Sequence, residues 1–177
     1  ACYPIRSFHT GAGIRGMNRL KVAMVADFPL AGQKIDGGVQ AVAAYLVEAI
    51  RQLDEVDLHI VSFSSRVTEP VSLEEGNLPI LLLPRHRLAT LARFRGELRD
   101  FRRALDRIRP DIVHGQGAGI EGYVAVRSGL PSLVTFHGII SEDARYQSTL
   151  AQRLRFRLLS RITENYCVHH APHTILI

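Results

Sequence analysis

Cysteine, lysine and tryptophan are nearly missing from this chain. Of its 177 residues two are cysteine, Cys2 and Cys167, and none is tryptophan. Two cysteines far apart, with no metal-ligand spacing, exclude a disulfide framework and point to a reducing compartment. Long apolar runs are missing too: residues 80–83 (ILLL) have the length of a buried strand, far short of the ~20 residues a membrane-spanning helix needs. The first sixteen residues lack the apolar core of a secretory signal. These absences predict a cytoplasmic protein. Lysine occurs twice, against twenty arginines, and the net charge is +5. That excess favours anionic partners in general, such as nucleotide phosphates or lipid headgroups. No known nucleic-acid-binding motif is present, so no nucleic-acid partner is expected.

What is present suits one α/β domain, since domains usually run about 100–200 residues. Residues 1–16 precede Met17 and read as an upstream extension or vector-derived segment, expected to be disordered. The GxGxxG within them, Gly11 to Gly16, comes before the first strand and so fails the context a dinucleotide fingerprint requires. From Met17 to Ile177 short β-rich runs alternate with helical periodicity. Strands are expected at 21–27, 56–62, 78–83, 111–115, 131–136 and 173–177. Helices are expected at 39–53, 120–128 and roughly 145–166. A further helical pattern at 88–108 has apolar residues every three or four positions, is interrupted by Gly96 and is closed by Pro110. Continuous apolar strands alternating with helices predict a doubly wound, Rossmann-like parallel sheet. The last run, HTILI, reads as a buried strand with nothing after it, which suggests a domain cut from a longer chain.

Ligands of such sheets bind at the carboxyl ends of the strands, which directs attention to three loops. The first holds Gly37 and Gly38 at the start of a helix, followed by Gln40. It reads either as a cradle for a phosphate or diphosphate, using unpaired backbone N–H groups, or as a flexible turn. The second is His114-Gly-Gln-Gly-Ala-Gly-Ile-Glu-Gly122, another GxGxxG. No acidic residue follows at the end of the next strand, so it reads as a glycine-rich turn lining a cleft. His114 suits a structural hydrogen bond or an active-site role equally. The third is Thr135-Phe136-His137-Gly138, where a histidine at a strand tip suits proton transfer or hydrogen bonding to a reacting group. Beyond it, Glu142 reads as an acceptor ligand and Asp143 as an acid favoured at a helix start. The nine arginines of residues 85–109 are read as a solvated face paired with Glu97, Asp100 and Asp106. They are also compatible with an anionic membrane surface.

Taken in order, KVAMVAD, Gly37-Gly38-Val39-Gln40, Arg-Pro-Asp-Ile-Val-His at 109–114, Val-Thr-Phe-His-Gly at 134–138 and the final HTILI resemble the N-terminal domain of retaining family 4 glycosyltransferases of GT-B architecture. The resemblance spans residues 19–177. It implies transfer of a hexosyl group from a nucleoside-diphosphate sugar to an acceptor with retention of configuration, without an essential metal. Gly37 and Gly38 match the loop that meets the donor diphosphate. His137 matches the histidine beside the transferred sugar, and Gln40, His114, Gly138 and Glu142 fall on the acceptor side. The strand-four motif often carries a second histidine where this chain has Gln116. The donor-binding signature belongs to a C-terminal domain absent from these residues, so the 177-residue chain alone is expected to be inactive. Two other readings remain: a GT-B enzyme of another kind, such as a nucleotide-sugar epimerase, and a non-catalytic nucleotide- or partner-binding module.

Overall fold

The computed structural model of the chain describes residues 19–177. The upstream segment and its GxGxxG lie outside the described residues. The sheet begins with β1 (Leu20–Val25), whose sequence LKVAMV is apolar on both faces. Its neighbours are β2 (Val56–Ser64) on one side and β5 (Ile112–Gln116) on the other. Beyond β2 lie β4 (Leu78–Pro84) and β3 (Val71–Glu75), and beyond β5 lie β6 (Ser132–Phe136) and β7 (His173–Leu176). The spatial order is therefore β3-β4-β2-β1-β5-β6-β7, parallel throughout except for β3 against β4. The chain winds outward from β1 in one direction and then returns to wind outward in the other. The switch between β1 and β5 leaves a crevice at the strands' carboxyl ends.

Each face of β1 buries against a different layer. Val22 and Met24 meet α1 (Gly38–Ile50) through Ala43 and Val47, together with Leu58, Ile60 and Ile80. Ala23 and Val25 meet α2 (Arg95–Ile108) and α3 (Ile120–Val126) through Phe94, Phe101, Leu105, Tyr123 and Val124. Each such large side chain taken fully from water contributes about 1.5–3 kcal/mol. The remaining elements are α4 (Ile140–Asp143), a 3₁₀ turn at Ala144–Tyr146, α5 (Leu150–Ile162) and α6 (Glu164–His170). Thr149 and Gln152 form a reciprocal capping box at the start of α5. Cys167 of α6 lies in the core, where burial pushes its thiol up to about 12, so it is an inert packing residue.

Four expectations are corrected. β3 had no counterpart among the predicted strands. It is a half-exposed edge strand joined to β4 by Gly76 and Asn77, both at positive φ (53° and 65°), the two-residue turn that suits a hairpin's twist. The periodic pattern from Leu88 does not run as helix up to Arg95: Arg93 and Phe94 take left-handed backbone (φ 49° and 55°), and Leu88 and Leu91 face water. Gly96 is needed just inside α2 because a Cβ there would sit 2.6 Å from the His86 ring. The long segment at 145–166 is split at Thr163 into α5 and α6. Finally, β7 is an edge strand exposed along its whole length, not a buried one.

Candidate functional site

Three loops meet above the β1/β5 crevice. The β5–α3 connection turns sharply because Gly117 adopts φ 110°. It also lies close to the helix that follows. A Cβ on Gly115 would fall 2.7 Å from the Gly122 Cα, and one on Gly122 would fall 2.5 Å from the Gly117 carbonyl oxygen. Strand and helix meet backbone to backbone at these glycines, and this holds the loop down so that a cleft opens beside it. That cleft, about 310 Å³ in volume, is lined by Asp27 after β1, Gln116 and Gly117 from β5, Glu121 of α3, His137 and Gly138 after β6, and Asp143 of α4.

A line of side-chain hydrogen bonds runs from the cleft into the sheet. His137 Nε2 lies 2.8 Å from Gln116 Oε1, and the Gln116 amide nitrogen lies 3.1 Å from His114 Nε2, which is 2.8 Å from the Thr135 hydroxyl. A carboxamide oxygen only accepts, so His137 donates its Nε2–H to Gln116 and keeps the Nδ1 lone pair available. At the far end the amide N–H of Gln116 donates to His114 Nε2, which fixes the neutral form of that ring too. Burial lowers the His114 pKa to about 4, helped by the neighbouring His137, and burial also lowers that of His137. Both imidazoles are therefore neutral near pH 7.

The cleft's charge is acidic. Asp27 accepts from the Gln40 amide at 3.0 Å, while Gln40 Oε1 accepts from the Asp36 backbone at 2.7 Å. Desolvation is the main reason that Glu121 is held above the usual carboxylate range, and the nearby Asp27 adds to it. The wall carrying Gly138 is fixed from behind by buried Glu164 of α6, whose carboxylate accepts from the backbone N–H groups of Ile140 (2.7 Å) and Ser141 (3.1 Å).

The structure brings His137 and Gly138 into the cleft and places Gln40 at its edge, through Asp27. Gly37 (φ 101°) caps α1, and neither it nor Gly38 has an atom within 4 Å of an added Cβ, so this pair stands open at the rim. His114 is buried beneath Gln116 and does not line the cleft. Glu142 pairs with Arg145 at 3.0 Å, outside the lining, whereas Asp143, read from the sequence as a helix-start acid, faces in. Gln116, Asp27 and Glu121 were not foreseen as site residues. The signal for Asp27 was its position at the end of the first strand, and that for Gln116 its place where the resembled motif carries a second histidine; Glu121 depends on side-chain direction. Of the acids expected to pair with arginines, Asp100 meets Arg99 and Arg103 but also His86, while Glu97 is fully buried and accepts from the His86 backbone.

A doubly wound α/β domain with a ligand cleft at its switch point is the class that these features define. The model of Glycosyltransferase Family 4 matches residues 36–176, and the chain belongs to that family. A search of curated proteins gave no match. Among the described residues no helix is long and apolar enough to cross a membrane.

Proposed function

We propose that this glycosyltransferase domain forms the acceptor side of a GT-B enzyme that moves a hexosyl group from a nucleoside-diphosphate sugar with retention of configuration. The observation that carries the reading is the cleft's chemistry: a neutral imidazole at the tip of β6 beside the carboxylates of Asp27 and Asp143 and the desolvated carboxyl group of Glu121, with glycine backbone between them. Carboxylates and a free Nδ1 lone pair accept hydrogen bonds from sugar hydroxyls. A diphosphate would be repelled there, and the open N-terminus of α1 at Gly37 and Gly38 suits it better.

In this reading His137 Nδ1 accepts from a hydroxyl of the donor sugar and orients it; with its pKa lowered it is a poor reservoir for a proton. The bond from the anomeric carbon to the diphosphate oxygen breaks as the acceptor oxygen bonds on the same face. The acceptor's hydroxyl proton passes to the departing phosphate. Gln40 and Gly138 are assigned to the acceptor side, together with Glu142 from outside the cleft lining, and His114 acts only through Gln116. A second domain holds the rest of the donor, so residues 1–177 alone do not turn over. No metal or other cofactor takes part. The reaction is placed in the cytoplasm, with the arginine-rich faces suiting a peripheral position on an anionic membrane surface.

The test uses the complete enzyme and a panel of nucleoside-diphosphate sugars. His137→Ala is expected to lower kcat/KM at least about a hundredfold, with an unchanged circular dichroism spectrum. An inverted anomeric product by NMR, or a His137→Ala enzyme of full activity, would defeat the proposal.

A further inference from the structure

Away from the cleft, and sharing no lining residue with it, lies a wider hollow of about 720 Å³ between the turns at 87–94, α3, α5 and α6. Its size is that of a small-molecule site. Three arginines face it, Arg93, Arg127 and Arg161, and among the described residues no aspartate or glutamate lines it. Nor does any of the three form an ion pair within the described residues, although Arg51, Arg99, Arg103 and Arg145 do.

The cations are held in place by neutral groups. Arg127 donates to the Tyr123 hydroxyl at 2.6 Å, and its guanidinium lies 5.4 Å from the Tyr123 ring centroid and 5.6 Å from that of Tyr166. Tyr166 in turn stacks on His170 at 4.2 Å and 9°. Tyrosine faces fix the guanidinium without cancelling its charge, and leave most of its N–H donors unused. Arg93 sits on left-handed backbone that a side chain adopts only at a cost, and the buried Phe94 beside it anchors the turn.

One wall is apolar. It is formed by Leu91 (73% exposed), Leu158 (39%) and Ile162, and beyond the hollow Leu154 and Leu150, 56% and 73% exposed, continue the Leu158 stripe at successive turns of α5. The next stripe of α5 is Arg153, Arg157 and Arg161, and the helix contains no acid.

We propose that this hollow is a second binding site, for a phosphate-bearing amphiphile whose anionic head is gripped by Arg93, Arg127 and Arg161 and whose hydrocarbon part lies along Leu158 and Leu154. A wholly polar anion would leave the leucines in water, and a neutral apolar molecule would leave three cations unanswered. Three guanidinium forks lining one hollow suit a phosphate, with its several acceptor oxygens and up to two charges, better than a single carboxylate. The site does not rest on the glycosyltransferase reading.

Titration calorimetry on the full chain tests it with dihexanoyl phosphatidic acid, dihexanoyl phosphatidylcholine and inorganic phosphate. The phosphatidic acid is expected to bind about tenfold or more tighter than either of the others. Arg93→Gln with Arg161→Gln changes two exposed side chains and should weaken it about tenfold with an unaltered melting temperature. Leu154→Ser with Leu158→Ser should bring the phosphatidic acid down to the affinity of inorganic phosphate and leave the latter unchanged. Co-sedimentation with phosphatidylcholine vesicles, with and without phosphatidic acid, separates the sources. Binding only to the anionic vesicles assigns a membrane lipid, binding only to the dispersed short-chain molecule assigns a free amphiphile, and both uphold the site. Equal affinity for the two lipids, indifference to the arginine pair, or no binding at all would overturn it. His137→Ala should leave every one of these affinities unchanged, so failure here is separable from failure of the catalytic reading.

Discussion

Gln116 sits between two histidines and is 1% exposed, and replacing it with glutamate tests the line of hydrogen bonds with almost no change of shape. In the native chain the group facing His137 Nε2 at 2.8 Å is a neutral oxygen, and burial keeps the imidazole pKa low. A carboxylate at the same place puts a full negative charge within 3 Å or so of that nitrogen, and an opposite charge at such range raises a histidine pKa by roughly 1–3 units. Because the new carboxylate is itself buried, it shares a proton with the imidazole instead of standing alone. Gln116→Glu is therefore expected to move the His137 titration upward by about 2 units. The assay is a long-range ¹H–¹⁵N NMR titration of the full chain, with His137→Gln to assign the resonance. It also reads which ring nitrogen carries hydrogen: Nε2–H is expected in the native chain. In the complete enzyme the acid limb of the pH–rate profile should move upward with the imidazole, since only the neutral ring offers Nδ1 as an acceptor. An unmoved His137 titration, or a native ring carrying hydrogen on Nδ1, would refute the reasoning.

Gly115→Ala and Gly122→Ala each drive a methyl group into backbone at 2.7 and 2.5 Å, so each should cost at least about 1–3 kcal/mol in urea unfolding; a loss under about 0.5 kcal/mol would show that β5 and α3 separate freely. His114 is neutral in the fold and its pKa falls from 6.5 to about 4, so the unfolded chain binds more protons between those values. Stability from this group is complete above pH 6.5 and declines toward pH 4 by on the order of 3 kcal/mol, with His137 adding to the decline and the raised Glu121 opposing it. His114→Gln should flatten that part of a plot of melting temperature against pH. Glu164→Ala removes the acceptor for two backbone N–H groups behind Gly138 and should cost about 1–3 kcal/mol. In the complete enzyme it should also raise KM; unchanged KM would mean that this wall does not need its anchor.

The central strands were legible because residues buried on both faces form unbroken apolar runs, as in VAMV of β1 and ILLL of β4. β3 was not, since VSLEE has one face in water and its only mark was the Gly-Asn pair that turns it back on β4. The start of α2 was hidden for a different reason. Leu88 and Leu91 continue the spacing of the true helix face, yet Phe94 reaches the core by leaving helical backbone, a choice made by tertiary packing. Within the site, the rule that ligands sit at strand ends pointed to His137 and Gly138. It could not tell Glu142 from Asp143, because one residue of rotation in a single-turn helix decides which acid faces the cleft. The part played by Gln116 was equally out of reach: it depends on a side chain spanning residues two positions back and twenty-one positions on.

The two margins of the sheet differ in kind. On one side β3 folds back antiparallel and presents Glu74 and Glu75 near the turn, a charged border that discourages further pairing. On the other side β7 ends the sheet with Ile175 and Leu176 43% and 80% exposed, and its outer backbone groups have no strand beside them among the described residues. The molecule thus has a direction in which its sheet can lengthen. A second strand, whether from elsewhere in a longer polypeptide or from a neighbouring copy in a crowded solution, joins more readily at this border than at the other. Concentration-dependent association of this chain would accordingly favour pairs joined β7 against β7 over open fibrils.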